Sequence, residues 1–282
     1  MNGIILWFLL LSTSFVHAEV LFEDPTGDDL NEAVGEILKE KIKDISGYEK
    51  REKEYFLGLV YLKGSKNFNI EKNCGKAKSL LQSAWENGVT DAGYTLAVMH
   101  YHGACTKRNI KESRKLAAET AKEGYILSQR MLGRAYLGRE WGELYPKNIK
   151  KAIYWLKKAG ESGDSQSASK LSYIYREGIG TEKDKRKSFT WIKKAAFSKF
   201  EPAETIYFPS LAEYYEKGIG TDVDLVKAYK YYDLSGTAGA EGKQRVAKKM
   251  TKAQIDEATR QSQAWQEKHN VQVGGGFIRR VK

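Results

Sequence analysis

Apolar and small residues recur along this chain in two alternating templates. The first reads Leu-small-x-x-aromatic and appears as Leu57-Gly58-x-x-Tyr61, Leu96-Ala97-x-x-His100, Leu132-Gly133-x-x-Tyr136, Leu171-Ser172-x-x-Tyr175 and Leu211-Ala212-x-x-Tyr215. The leucines stand 39, 36, 39 and 40 residues apart. A glycine follows at Gly64, Gly103, Gly178 and Gly218, where a left-handed residue would close a helix; the third copy has Gly138-Arg139 instead. The second template opens on Ala77, Ser113, Ala152, Ser188 and Ala228. Apolar or small residues follow at i+3, i+4, i+7 and i+8, as in Leu80, Leu81, Ala84 and Trp85 or Trp191, Ile192, Ala195 and Ala196. That spacing draws one stripe down an amphipathic helix. Gly88, Gly124, Gly163 and Gly239 end four of the five copies.

The predicted unit is thus a pair of helices repeated about five times. One pair cannot bury its own stripe, so the pairs must stack. The predicted architecture is an all-α, right-handed α-solenoid over residues 48–250. Small residues mark where helices approach closely, with a tyrosine from a neighbour expected to fill the gap. Residues 19–47 form an N-terminal capping segment, with an amphipathic helix at Asp29–Ile45. Lys243–Lys249 opens a truncated sixth unit. Residues 251–282 supply a closing helix at Lys252–Lys268, N-capped by Thr251, and then a flexible basic tail after Gly274-Gly275-Gly276.

Composition agrees with a folded helical chain. Of 282 residues 41% are apolar and 29% charged, enough apolar content for a core, and only four are proline. Residues 1–18 read as a secretory signal peptide cut after Ala18: Ile4–Leu11 has the length of an h-region and is too short to span a bilayer. An uncleaved N-terminal anchor is the alternative. The net charge of +11 is carried by the mature chain, whose opening is acidic from Glu19 to Glu36, so the basic excess falls on the repeats. Such a surface suits acidic proteins, anionic lipid headgroups or cell-wall polymers, and export argues against nucleic acid.

On these residues the chain resembles the Sel-one-like repeat proteins of the tetratricopeptide superfamily, over Tyr48 to Met250. The sharpest carriers are the Gly-x-Gly turns in Glu177-Gly178-Ile179-Gly180-Thr181 and Lys217-Gly218-Ile219-Gly220-Thr221. The second helix of the family is carried by Lys151-Ala152-x-x-Trp155-Leu156-Lys157-Lys158-Ala159 and Lys227-Ala228-x-x-Tyr231-Tyr232. Repeats 1 and 2 lack the turn, and repeat 3 replaces it with Arg139–Asn148. The resemblance implies a scaffold that holds partner proteins in a superhelical groove. Exported bacterial members are linked to envelope stress, host interaction or neutralisation of a secreted toxin.

Candidate chemistry is sparse. Cys74 and Cys105 fall on one edge of adjacent repeats and would form a disulfide in an oxidising compartment; two buried free thiols are the alternative. His100 and His102 lie about 200° apart on their helix and cannot chelate from one face, so no metal or cofactor is expected. No nucleophile elbow or P-loop is present, no catalytic residue is assigned, and Ser79, Ser113 and Ser188 read as packing positions. The Lys/Arg clusters of repeats 3 and 4, Lys147 to Lys158 and Lys183 to Lys194, read as solvated helix faces or as a steering patch. The position two after each template leucine varies while its neighbours repeat: Leu59, Val98, Arg134, Tyr173 and Glu213. That variation marks either a partner-binding column or mere exposure, with Arg134 and Tyr173 the expected anchors. The expected function is a non-enzymatic, exported protein-binding module that neutralises a toxin or effector in the periplasm. A general envelope scaffold or virulence factor is the alternative, and a β-lactamase-like hydrolase a weaker one.

Overall fold

The computed structural model describes residues 50–66, 69–198, 204–274 and 277–280. The signal segment 1–18 and the capping helix expected at Asp29–Ile45 lie outside the described residues. Among the described residues twelve α-helices run in order. Five pairs form the repeats: α1 (Lys50–Lys63) with α2 (Cys74–Glu86), α3 (Thr90–His102) with α4 (Ile110–Lys122), α5 (Ile126–Tyr136) with α6 (Ile149–Glu161), α7 (Ser165–Glu177) with α8 (Lys185–Ala196), and α9 (Phe208–Lys217) with α10 (Leu225–Asp233). α11 (Ala240–Ala247), α12 (Lys252–Lys268) and two strands, β1 (Val271–Gly274) and β2 (Phe277–Arg280), complete the chain. Successive repeat helices pack on one another from α1 to α10, which makes the molecule an α-solenoid.

One polar motif joins the two helices of every repeat. Asn73, Asn109, Asn148, Asp184 and Asp224 each precede a second helix and accept a hydrogen bond on the side chain from the backbone N–H three residues on. The backbone N–H of each cap donates to the carbonyl of the template aromatic in the first helix: Tyr61, His100 and Tyr136 at 2.8 Å, Tyr175 at 2.8 Å and Tyr215 at 2.9 Å. One residue thereby satisfies an orphan donor at a helix start and an orphan acceptor at a helix end. This cap and its bond to the first helix recur in all five repeats although the turns between them differ in length and conformation.

Packing follows the templates. Leu96, Leu132, Leu171 and Leu211 are buried, as are Ala77, Ser113, Ala152, Ser188 and Ala228. Leu57 is only half-buried, on the first described helix. At template Ser172 a tyrosine of the next repeat, Tyr214, reaches in as expected, with its hydroxyl 2.8 Å from Ser172 Oγ, but the two template glycines are filled differently. A Cβ on Gly58 would stand 2.7 Å from Leu81 Cγ, and one on Gly133 would stand 2.7 Å from Leu156 Cγ. The filler is a leucine of the same repeat, because the template glycine faces its own second helix. Ser79, expected in packing, is exposed, since two positions after buried Ala77 carries it around the helix.

Two segments depart from the repeat. In the link between α5 and α6, Leu144 is fully buried, and Trp141 packs edge-on against Tyr101 of the preceding repeat, ring centres 4.6 Å apart. The end also differs from its expected form. α11 starts at Ala240 rather than Lys243, whereas α12 begins at the Thr251 cap with a reciprocal Gln254 bond. β1 and β2 pair antiparallel in register Val271↔Arg280 to Gly274↔Phe277, where a flexible tail was expected. Val273 N–H donates to Gln266 Oε1 of α12 at 2.7 Å, which fixes the hairpin to the helix.

Candidate functional site

The stacked first helices sort their side chains sharply. Leu59 lies between buried Gly58 and Val60, Val98 between Ala97 and Met99, and Arg134 between Gly133 and Ala135. Tyr173 lies between buried Ser172 and Ile174, and Glu213 between Ala212 and Tyr214. In each case the middle residue is the accessible one. The five are nevertheless unlike in availability. Leu59 and Val98 are half-buried and apolar. Arg134 is ion-paired to Glu140 and donates to Gln166 Oε1 of α7 at 2.6 Å, so it ties repeat 3 to repeat 4. Glu213 accepts from Lys217 at 2.5 Å. Tyr173 is 46% exposed, the most open of the five, with Lys170 and Arg176 about 6 Å from its ring centre.

Tyr173 and Glu213 line separate clefts. Glu213 borders an opening of about 670 Å³ with Glu216, Tyr232, Arg245 and Lys249. There Arg245 donates to both Glu216 oxygens at 2.8 and 2.7 Å, and Tyr232 Oη donates at 2.9 Å. The Arg245 guanidinium holds the Glu216 carboxyl down to about 2, against the opposing effect of burial. Tyr173 borders a smaller cleft of about 310 Å³, lined also by Arg139, Lys147 and Lys170.

Part of the basic excess has a packing role that the charge count concealed. The third residue after four of the caps is a lysine lying over the template tyrosine: Lys76 on Tyr61 at 4.9 Å, Lys151 on Tyr136 at 5.5 Å, Lys187 on Tyr175 at 5.7 Å and Lys227 on Tyr215 at 5.3 Å. Lys187 and Lys227 also bridge Asp184 and Asp224 at 2.9 and 2.8 Å. The Lys187 backbone N–H, followed by its ammonium, holds the Asp184 carboxyl below its ordinary range. The signal was visible as Asn/Asp-x-x-Lys before each small template residue, and repeat 2 alone breaks it with Glu112 and His100.

Cys74 and Cys105 are joined, with Cα atoms 4.7 Å apart. The bridge ties the first turn of α2 to the left-handed turn after α3. His102 packs against Trp141 at 5.2 Å and His100 is half-buried, so the two serve different surroundings. Ser188 and Ser172 are buried with Tyr214 in a hydrogen-bonded trio of 2.5 to 3.1 Å. Among the described residues no group of three or more His, Cys, Asp and Glu side chains is placed to hold a metal ion. No helix among them is long and apolar enough to cross a membrane.

The family model of the Sel1 repeat matches residues 54–89, 91–125, 126–164, 165–196 and 210–239, coinciding with the five helix pairs. The chain belongs to the Sel1 repeat family. A crystal structure of a Sel1 repeat protein from Oxalobacter formigenes shares the fold, with a TM-score of 0.57 and 22% identity over 78% of this chain and 85% of that one. The chitin synthase regulator SKT5 of Saccharomyces cerevisiae is 29% identical over 115 residues, which is 41% of this chain and 16% of that protein. The activator of C kinase protein 1 of the same yeast is 34% identical over 100 residues, 33% of this chain and 16% of that protein. The chain therefore spans about a sixth of the length of the curated relatives it matches. Sel1 repeats are a protein-interaction architecture, and the partner is set by the surface each chain displays.

Proposed function

We propose that this Sel1 repeat protein is exported to the periplasm or beyond and there binds and neutralises a toxin or effector protein, using the first-helix column centred on Arg134 and Tyr173. The observation that carries this reading is the sorting of the column: five positions whose chemistry runs from aliphatic to basic, aromatic and acidic stand more accessible than the buried neighbours on either side. A position freed from the core is where a solenoid can vary its partner without losing its fold. The Cys74–Cys105 bridge supports an oxidising compartment, since disulfides persist there and are reduced in the cytosol. Two relatives whose names designate a regulator and an activator favour a second, broader reading, an adaptor serving several envelope or host proteins.

Photocrosslinkers placed at residue 173, and at residue 157 on an exposed second-helix face, separate these readings in envelope pull-downs identified by mass spectrometry. The expected result is one dominant adduct from position 173, together with protection of cells that co-express the captured toxin. The Arg134→Ala, Tyr173→Ala double variant should lose about 2 kcal/mol or more of binding. Several adducts without protection would select the adaptor. Adducts from position 157 with none from 173 would remove the column from the account.

A further inference from the structure

The two clefts on the first-helix side differ in one decisive respect. In the larger one the cations are already neutralised: Arg245 is bonded to Glu216, Lys249 stands 3.6 Å from the same carboxylate, and Lys217 pairs with Glu213. In the smaller one, of about 310 Å³, Arg139, Lys147 and Lys170 line the walls and no carboxylate does. None of the three is ion-paired to a described residue. Beneath them lie the half-buried aliphatic side chains of Leu137, Ile149 and Ile179, and Tyr173 stands exposed at the edge.

This cleft is built by a departure from the repeat. Arg139 and Lys147 come from the segment that replaces the Gly-x-Gly turn of repeat 3, and Lys170 and Tyr173 come from α7 of repeat 4. The turn of repeat 4 closes the floor, with Gly180 so near Ile149 that a Cβ would stand 2.4 Å from its Cγ2. Three cations left unpaired around an apolar floor are an arrangement the fold does not need for its own stability.

We propose that this cleft receives an acidic segment of the partner protein, with a carboxylate next to an apolar side chain. The inference rests on the protein-binding reading above and adds the partner's chemistry and the repeat junction that reads it. Carboxylates of the segment meet Arg139, Lys147 and Lys170, the guanidinium offering a bidentate fork and the lysines point charges. The apolar side chain covers Ile149 and Ile179, and the Tyr173 ring closes over it. A phosphate polymer would satisfy the cations but leave the aliphatic floor wet, so both features together select a peptide.

The test uses the mature chain, residues 19–282, and fluorescein-labelled peptides in which Glu alternates with Leu, Gln with Leu, or Glu with Gly. Anisotropy should rise for the Glu/Leu peptide only, and fall back as salt is added. The Lys147→Glu, Lys170→Glu variant should bind it about ten-fold more weakly or worse. Tyr173→Ala should also weaken it, while Lys157→Glu, Lys158→Glu, exposed two turns along α6 and outside the cleft lining, should not; far-UV circular dichroism checks that each variant is folded. Equal binding of the Gln/Leu or Glu/Gly peptide, equal loss in the 157/158 variant, or no binding of the Glu/Leu peptide overturns the proposal. So does displacement of the peptide by phosphatidylglycerol vesicles as effective as by unlabelled peptide, which would assign the cleft to an anionic membrane. A partner captured through position 173 whose affinity is unchanged by the 147/170 reversal removes this inference alone. Failure to capture any partner removes the broader reading alone.

Discussion

Glu216 shows what a single residue contributes at the end of the solenoid. Its side chain is 4% exposed, yet it carries a charge satisfied by Arg245, Tyr232 and Lys249. Because Arg245 holds its pKa down to about 2 in the folded chain, the unfolded chain takes up a proton first as pH falls. The stabilising contribution is therefore complete above the ordinary carboxylate range of about 4.3 and is lost as pH drops toward 2. Half-exposed Arg245 screens part of it, leaving about 2 kcal/mol. Urea melts at about pH 6 and about pH 3 should show this loss in the parent chain and a flatter profile in Glu216→Gln. An equal pH dependence in both would assign the acid lability to other carboxylates. The pairing of Glu216 with Arg245 was not legible in the sequence, since they stand 29 positions apart with the whole of α10 between them. The accessible column was legible, because a position that varies beside a recurring Leu-small pair is a property of a single helix.

Among the elements, the turns are the most constrained. Gly178 and Gly218 close α7 and α9 in the left-handed conformation, and the second glycine of each Gly-x-Gly lies against the start of a second helix one repeat back. At Gly220 a Cβ would stand 1.9 Å from the Lys185 carbonyl oxygen, and φ is already +69°. Both strain and collision oppose a side chain there. Gly220→Ala should cost about 2 kcal/mol or more and lower the thermal midpoint; a midpoint equal to that of the parent would show that the repeats can slide apart at this junction at no cost. The helices themselves were legible because five copies report one pattern. The Arg139–Asn148 segment and the terminal hairpin were not. Neither recurs, so no comparison within the chain separates their buried residues, such as Leu144, from their exposed ones.

For the molecule as a whole, cohesion passes from each repeat to the next, and the Cys74–Cys105 bridge reinforces the first of those junctions. Closing a loop with a sequence separation of 31 should stabilise by roughly 3–4 kcal/mol in the chain-entropy description. Dithiothreitol, or Cys74→Ser with Cys105→Ser, should therefore lower the denaturant midpoint, with the first repeats losing amide-exchange protection before the last. Uniform loss along the chain would instead mean that the solenoid unfolds as one unit. Periodicity alone determined the helix pairs, their stacking order and the edge shared by the two cysteines, because each follows from short-range spacing repeated five times. Only the tertiary structure decided which cations are consumed. Lysines over tyrosines, Arg134 on Glu140 and Arg245 on Glu216 are pairings across turns and helices, whereas Arg139, Lys147 and Lys170 converge unpaired. Charge is a count in a sequence, but its availability depends on distances between residues that spacing does not encode.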